Sequence, residues 1–187
     1  MSGLSYRIPT PDDARLLLDW RLRPDIAQHL FTQVEDDIDK QRAWLARSNG
    51  RDDYHHRIMM VDGVPVGYAS ITVTHAGWGI ATLGAYMADR RGRTGAGPLN
   101  FTHALNHVFY ALSLRKVVNQ IMADNDRVLR GQTLLGYRHV GVLRDHAVKG
   151  GQAYDVHLFE MSAADWAAKR LKFKEYADWD GRIWPPA

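Results

Sequence analysis

The sequence predicts a single α/β (α+β) domain, and three features carry that expectation. Residues 55–87 fall into three strand-length runs separated by turn signals, which reads as an antiparallel meander. A basic, glycine-rich segment at 90–98 then passes into a run with apolar residues at threes and fours. The 187 residues suit one domain, and no internal repeat or low-complexity linker divides them.

The elements follow in order. Tyr6–Ile8, closed by Pro9, is expected as a short strand. Thr10-Pro11-Asp12-Asp13 starts a helix, with a capping hydroxyl, a proline in the first turn and acids beside the positive dipole end. Leu17, Leu18 and Trp20 give that helix an apolar side, and Pro24 ends it. A second helix is expected from about Ile38 to Arg47, with Ile38, Gln41, Trp44 and Leu45 at helical spacing. The meander comprises Arg57–Val61, the hairpin turn Asp62-Gly63, Val66–Thr74, a turn at His75-Ala76-Gly77 and Trp78–Met87. Phe101, Leu105, Val108, Phe109 and Leu112 mark the helix after the glycine-rich segment. A strand at Lys116–Met122 and a helix at Asn125–Leu135 come next. Tyr137–His146 and Tyr154–Met161 form strands around Lys149-Gly150-Gly151, and Ser162 caps a last helix. Residues 1–170 are taken as the domain; 171–187, with Trp179, Trp184 and Pro185-Pro186, form a C-terminal extension without an assigned role.

Composition excludes some chemistry. The absence of cysteine removes disulfides, thiol nucleophiles and thiolate metal sites. No run approaches the ~18 apolar residues of a membrane helix. Met1–Pro9 lacks the layout of a secretory signal, so a cytoplasmic protein without a membrane partner is expected. The 24 Lys+Arg against 21 Asp+Glu give a charge of +3, which permits polyanion binding without demanding it.

Arg90-Arg91-Gly92-Arg93-Thr94-Gly95-Ala96-Gly97-Pro98 joins a strand to a helix, an arrangement suited to phosphate. Gly95 and Gly97 admit an anion close to the backbone, and the helix start offers unpaired N–H groups. Pro98 lacks an N–H where none is needed. No Gly-Lys-Ser/Thr follows, so this is no Walker loop, and the antiparallel strands before it argue against a dinucleotide fold.

The order of elements, from Tyr6 to Lys169, resembles the GNAT acetyltransferases. That resemblance implies a mixed, mostly antiparallel sheet of about seven strands flanked by helices. Arg93-Thr94-Gly95-Ala96-Gly97 resembles the family's acetyl-coenzyme A loop, although Gly92 stands where the family has Gln or Arg. Arg91 or Arg93 is expected to substitute for it. Asn125 with Leu134-Leu135-Gly136-Tyr137 resembles a second family segment, in which the Asn contacts the pantetheine arm or a water. The family's thiolate-protonating Tyr is replaced by Gln132, which cannot be an acid. Trp20-Arg21-Leu22-Arg23-Pro24-Asp25-Ile26 resembles the opening of acetyltransferases of pseudaminic acid biosynthesis, which act on the 4-amino group of a UDP-linked aminodideoxy sugar. Gly141–His146 and Gly150–Val156 also match that branch, but ribosomal-protein N-terminal acetyltransferases share them.

The resemblance implies direct attack of an amine on the thioester of acetyl-coenzyme A. Tyr86, Met87 and Ala88 are expected to supply backbone donors for the developing oxyanion. His29 is the favoured base over His75 and His146, and Tyr86 is a second candidate to orient the acceptor. Trp20, Arg21, His29, Trp44 and Trp78 are candidates to bind the nucleotide sugar, the tryptophans as a stacking surface. Catalytic residues are thus His29, Tyr86 and Asn125. The expected cofactor contacts are Tyr86, Met87, Ala88, Arg91, Arg93, Thr94, Gly95, Ala96, Gly97 and Asn125. The expected partner is a small nucleotide sugar and not nucleic acid, and the protein acts as a monomer or homodimer. Protein N-terminal acetylation is the rival enzyme reading, and a nucleic-acid-binding module the non-enzyme one. His103 and His107 have zinc-ligand spacing but no evident third ligand, so no metal is expected.

Overall fold

Three of the six described α-helices begin where a polar side chain caps the first turn, and a capping box precedes a fourth. The Asp13 carboxylate accepts the Thr10 N–H at 2.8 Å and both terminal nitrogens of Arg7 at 2.6 Å. A 3-10 turn at Pro11–Asp13 then runs into α1 (Ala14–Leu22). Pro24 does not merely end α1; it opens α2 (Pro24–Ala27), because its fixed φ suits a first helical position. Asp37 caps α3 (Ile38–Ser48) by accepting the N–H groups of Asp39 and Lys40. The helix after the glycine-rich segment, α4 (Gly97–Asn106), passes into a π-helical turn at His107–Ala111. Asn125 caps α5 (Asp126–Leu135), and Ser162 caps α6 (Ala163–Lys169).

The computed structural model describes residues 3–93, 97–173 and 184. Its strands are β1 (Leu4–Arg7), β2 (Tyr54–Val61), β3 (Val64–His75), β4 (Ile80–Met87), β5 (Lys116–Met122), β6 (Arg138–Lys149) and β7 (Gln152–Ser162). They form one sheet in the order β1-β2-β3-β4-β5-β7-β6. Every neighbouring pair is antiparallel except β4 and β5. The expected mixed, mostly antiparallel seven-stranded sheet is therefore present. Asp62-Gly63 turns β2 into β3 with both residues at positive φ (50° and 79°).

Each sheet face buries its own cluster. On one, Ala14, Leu17 and Leu45 of α1 and α3 pack on Ile58 and Tyr68. On the other, Leu105 and Val108 join Val66, Ile71, Val117, Phe159 and Trp166. The Trp166 Nε1–H donates to Asn106 Oδ1 at 2.8 Å, so this indole is buried without an orphaned donor. Trp184 is fully buried in the same cluster, with Tyr6 and His107 ring centroids at 6.1 and 5.7 Å. Part of the segment left without a role thus completes the core.

Burial depresses His56 and His107 from 6.5 to about 4. Below pH 6.5 the unfolded chain binds protons that these folded histidines accept only near pH 4, so stability falls as pH drops through that window. Urea unfolding at pH 4.5 should give a free energy lower than at pH 7 by up to roughly 3 kcal/mol per histidine. His107→Gln should remove its share of that slope.

Candidate active site

The site begins where two strands separate. β4 and β5 pair only at Ile80–Lys116 and Ala81–Val117. Beyond that point the Asn119 side chain stands in for the lost ladder. Its Oδ1 accepts the Leu83 N–H at 2.9 Å, and its Nδ2 donates to Gln132 Oε1 at 3.1 Å. Asn119 and Gln132 are both 1% exposed, so one amide pair braces β4, β5 and α5. Gln132, at the family's acid position, is a structural partner here.

Ladder parity selects the free backbone donor. The Ala88 N–H donates to the Val66 carbonyl at 2.8 Å, and Tyr86 pairs with Tyr68. Antiparallel alternation turns the amides of Tyr86 and Ala88 toward β3 and that of Met87 toward the gap. Of the three residues expected to supply donors, Tyr86 and Ala88 thus turn their amides to β3, and only that of Met87 is left toward the gap, because residues 86 and 88 share one parity and 87 the other.

A cleft of about 860 Å³ occupies the gap. Tyr86, Met87, Gly97, Asn125 and Gln132 line it, with Ile26 and His29 on the opposite wall. A Cβ at Gly97 would meet the Gly92 carbonyl at 3.5 Å and Met87 Cε at 3.7 Å, which is ordinary contact. A larger side chain there would take up cleft volume. Gly92 is different: its Cβ would lie 3.1–3.2 Å from Met87 Sδ and Val66, which accounts for glycine at this position. Arg93 lines the cleft and donates to Asp25 Oδ2 at 2.9 Å; Arg127 holds the Arg93 carbonyl at 3.0 Å. Arg91 instead pairs with Asp89 outside the cleft lining, so it is not brought to the expected cofactor contacts. Thr94, Gly95 and Ala96 lie outside the described residues.

The Trp20–Ile26 segment joins α1 to this cleft. Trp20 sets its ring edge on Tyr86 at 6.3 Å. Arg21 donates to Thr32 Oγ1 at 2.6 Å, and Arg23 to the Ala88 carbonyl at 2.5 Å. Arg23, then Arg93, holds the Asp25 carboxyl below the usual carboxylate range. His29 Nδ1 lies 3.5 Å from Asp124 Oδ1 and makes no hydrogen bond. The segment bearing His29 is held by Lys149, which the sequence placed only in a turn. Its ammonium donates to the carbonyls of Ala27, Gln28 and Leu30 at 2.6, 2.9 and 2.8 Å.

Tyr86 stacks on Tyr68 at 5.5 Å, and burial pushes its phenol up, with Arg21 opposing that shift. At neutral pH Tyr86 is a hydrogen-bond donor, not a phenolate. Beneath it runs a polar chain whose direction is fixed. Asn49 Nδ2 donates to the Pro9 carbonyl, so its Oδ1 must accept from His56 Nε2–H at 2.6 Å. His56 Nδ1 then accepts the Tyr68 hydroxyl at 2.8 Å, and Tyr68 accepts from Tyr54 at 2.9 Å. His56 stays neutral at pH 7.

Trp44 packs its ring against Tyr54 and His56, away from the main cleft, and lines a second cavity with Arg21. Trp78 is 65% exposed and stacks on His75 before the start of β4, at the opposite end of that strand from Tyr86. It is corrected out of the substrate surface: its neighbours are the hairpin turn and His75. His146 is exposed on β6. Among the described residues, no three His, Cys, Asp or Glu side chains are placed to hold a metal. No described helix is long and apolar enough to cross a membrane.

This architecture is that of an acyltransferase. The family model for the acetyltransferase (GNAT) domain matches residues 4–138, and the chain belongs to that family. Acetyl-coenzyme A is the acetyl donor. No curated protein matches the chain. Among solved structures, spermidine N-acetyltransferase from Vibrio cholerae, in complex with CoA and spermine, is similar over 88% of this chain and 98% of that one. The TM-score is 0.81 at 14% identity, so the likeness is one of fold. An acetyltransferase structure from T. thermophilus, its assignment provisional, has a TM-score of 0.76 at 17% identity, over 92% of each chain.

Lys149→Met should free the 24–30 segment. Hydrogen exchange at residues 26–30 should quicken, reflecting about 1.5–3 kcal/mol of lost charged hydrogen bonding, while β-sheet protection stays unchanged. Lys149→Arg should restore part of the protection.

Proposed function

We propose that this enzyme acetylates the 4-amino group of a UDP-linked 4-amino-4,6-dideoxy sugar, as in pseudaminic acid synthesis. The carrying observation is the Trp20–Ile26 segment, whose residues reach both the cleft and the second cavity. Trp20 abuts Tyr86, and Arg21 lines the neighbouring cavity. A polyamine, the acceptor class named for the Vibrio cholerae structure, calls for carboxylates without cationic partners. Here Asp25 is paired with Arg23 and Arg93, and Glu35 with Lys40. That pairing favours an acceptor without multiple positive charges.

In this reading Arg93, the 93–97 segment and the start of α4 would hold the diphosphate of the acyl carrier. Acetyl-coenzyme A supplies the activated acyl group when bound. The residues do the rest. Met87 N–H donates to the acyl oxygen as negative charge develops. Asn125 has its Oδ1 occupied by the Val128 N–H at 3.4 Å, so its amide nitrogen serves the carrier. His29 takes the proton released when the amine nitrogen bonds to the acyl carbon and the C–S bond breaks, and Asp124 stabilises the imidazolium. A coenzyme A thiol has a pKa near ~8.5, so its thiolate can leave and be protonated by water without a tyrosine at position 132.

Gly97→Val should weaken coenzyme A binding by calorimetry on the order of tenfold or more, with melting little changed. Thiol release should be measured with acetyl-coenzyme A and, separately, a UDP-4-amino-4,6-dideoxy sugar, spermidine and a ribosomal-protein N-terminal peptide. Turnover with the sugar is expected. Release with spermidine or the peptide alone would replace this acceptor assignment.

A further inference from the structure

The second cavity, about 570 Å³, lies between α3 and the loop after α2. Two residues of its lining each keep a buried nitrogen without a hydrogen-bond partner, Arg21 Nε and Gln41 Nε2. Gln41 is only 6% exposed, and a buried amide N–H left unpaired costs about 1–3 kcal/mol. Arg21 is not free to turn away, because Thr32 holds its guanidinium through Oγ1 and the carbonyl at 2.6 and 3.2 Å. Trp44 gives the cavity an aromatic wall, backed by Tyr54 and His56 of the directed polar chain. Arg47 adds a further cation to the lining. The acids on the wall are occupied: Glu35 pairs with Lys40, and Asp37 Oδ1 accepts two α3 amides.

We infer that this cavity binds the anionic handle of the acceptor, a phosphate or diphosphate group, through Arg21 and Gln41. Both are donors, the spare charge is positive, and the indole offers a stacking face for an attached base. Trp20, beside Arg21 in α1, meets Tyr86 of the cleft wall at 6.3 Å, so the cavity and the cleft adjoin at this segment. This deepens the nucleotide-sugar reading and rests on it for the position of the amine. Anion binding itself can be tested without turnover.

The test titrates uridine diphosphate, and separately inorganic pyrophosphate, into the full chain saturated with coenzyme A, which keeps the probes out of the main cleft. Uridine diphosphate should bind, and Gln41→Leu and Arg21→Met should each weaken it by roughly tenfold. Gln41→Leu should leave the melting temperature equal or higher, because it removes an unpaired buried donor; a merely structural glutamine would lose stability instead. Pyrophosphate binding as tightly as uridine diphosphate would place the phosphate contacts above base stacking in the same site. Failure of both probes to bind at millimolar concentration, or equal binding by wild type and Gln41→Leu, would overturn the inference. Binding as expected without acetylation of the UDP-amino sugar would overturn the sugar assignment and leave this subsite standing.

Discussion

Two parallel strands that part after two paired residues set the terms for the rest of the molecule. Breaking a ladder inside a sheet exposes backbone amides in a buried place, and each must find a partner or a use. Asn119 satisfies the first of them, at Leu83, and ties that point of β4 to Gln132 of α5. The next on that side of the strand belong to Ala85 and Met87, and these face the cleft. A residue too short to bridge, or an apolar one at 119, would leave either a collapsed gap or an unpaired donor. The separation of β4 from β5 is therefore maintained by polar chemistry, while apolar packing on both faces keeps the strands from twisting further apart.

Much of the fold was legible because its signals are local. Lys116–Met122 has the β-branched content of a strand and occupies those limits. Asp62-Gly63 has the chemistry of a tight turn and makes one. The π-helical turn at His107–Ala111 was not legible, since an added residue per turn leaves the apolar spacing nearly intact. The site was harder. Which of residues 86–88 offers its amide depends on register against β3, and a residue pattern defines strand faces without defining ladder parity. The Asn119–Gln132 pair and the Lys149 clamp join segments far apart in sequence, where no periodicity connects them. Trp78 misled because an aromatic in a meander suggests a surface for stacking, while its position before β4 puts it at the wrong end of the strand.

Charge in this protein works by local arrangement rather than by total. Asp25 sits between Arg23 and Arg93, so three ionised groups tie α2 to the turn after β4. Lys149 meets carbonyl oxygens instead of a carboxylate, which leaves its charge only partly offset where the loop after α2 begins. Such contacts fix the backbone of residues 24–30, where Ile26 is the one buried apolar side chain.

Trp184 bears on how the chain acquires this structure. Translation delivers α1, α3, β2 and β3 early, so the face built from Leu17, Leu45, Ile58 and Tyr68 can close while synthesis continues. The opposite face lacks its final indole until every strand has been made, because Trp184 must return to Tyr6 and His107 across nearly the whole sequence. The two faces therefore differ in how local their packing is: one draws on segments before residue 90, and the other, behind α4, needs Trp184 to close it.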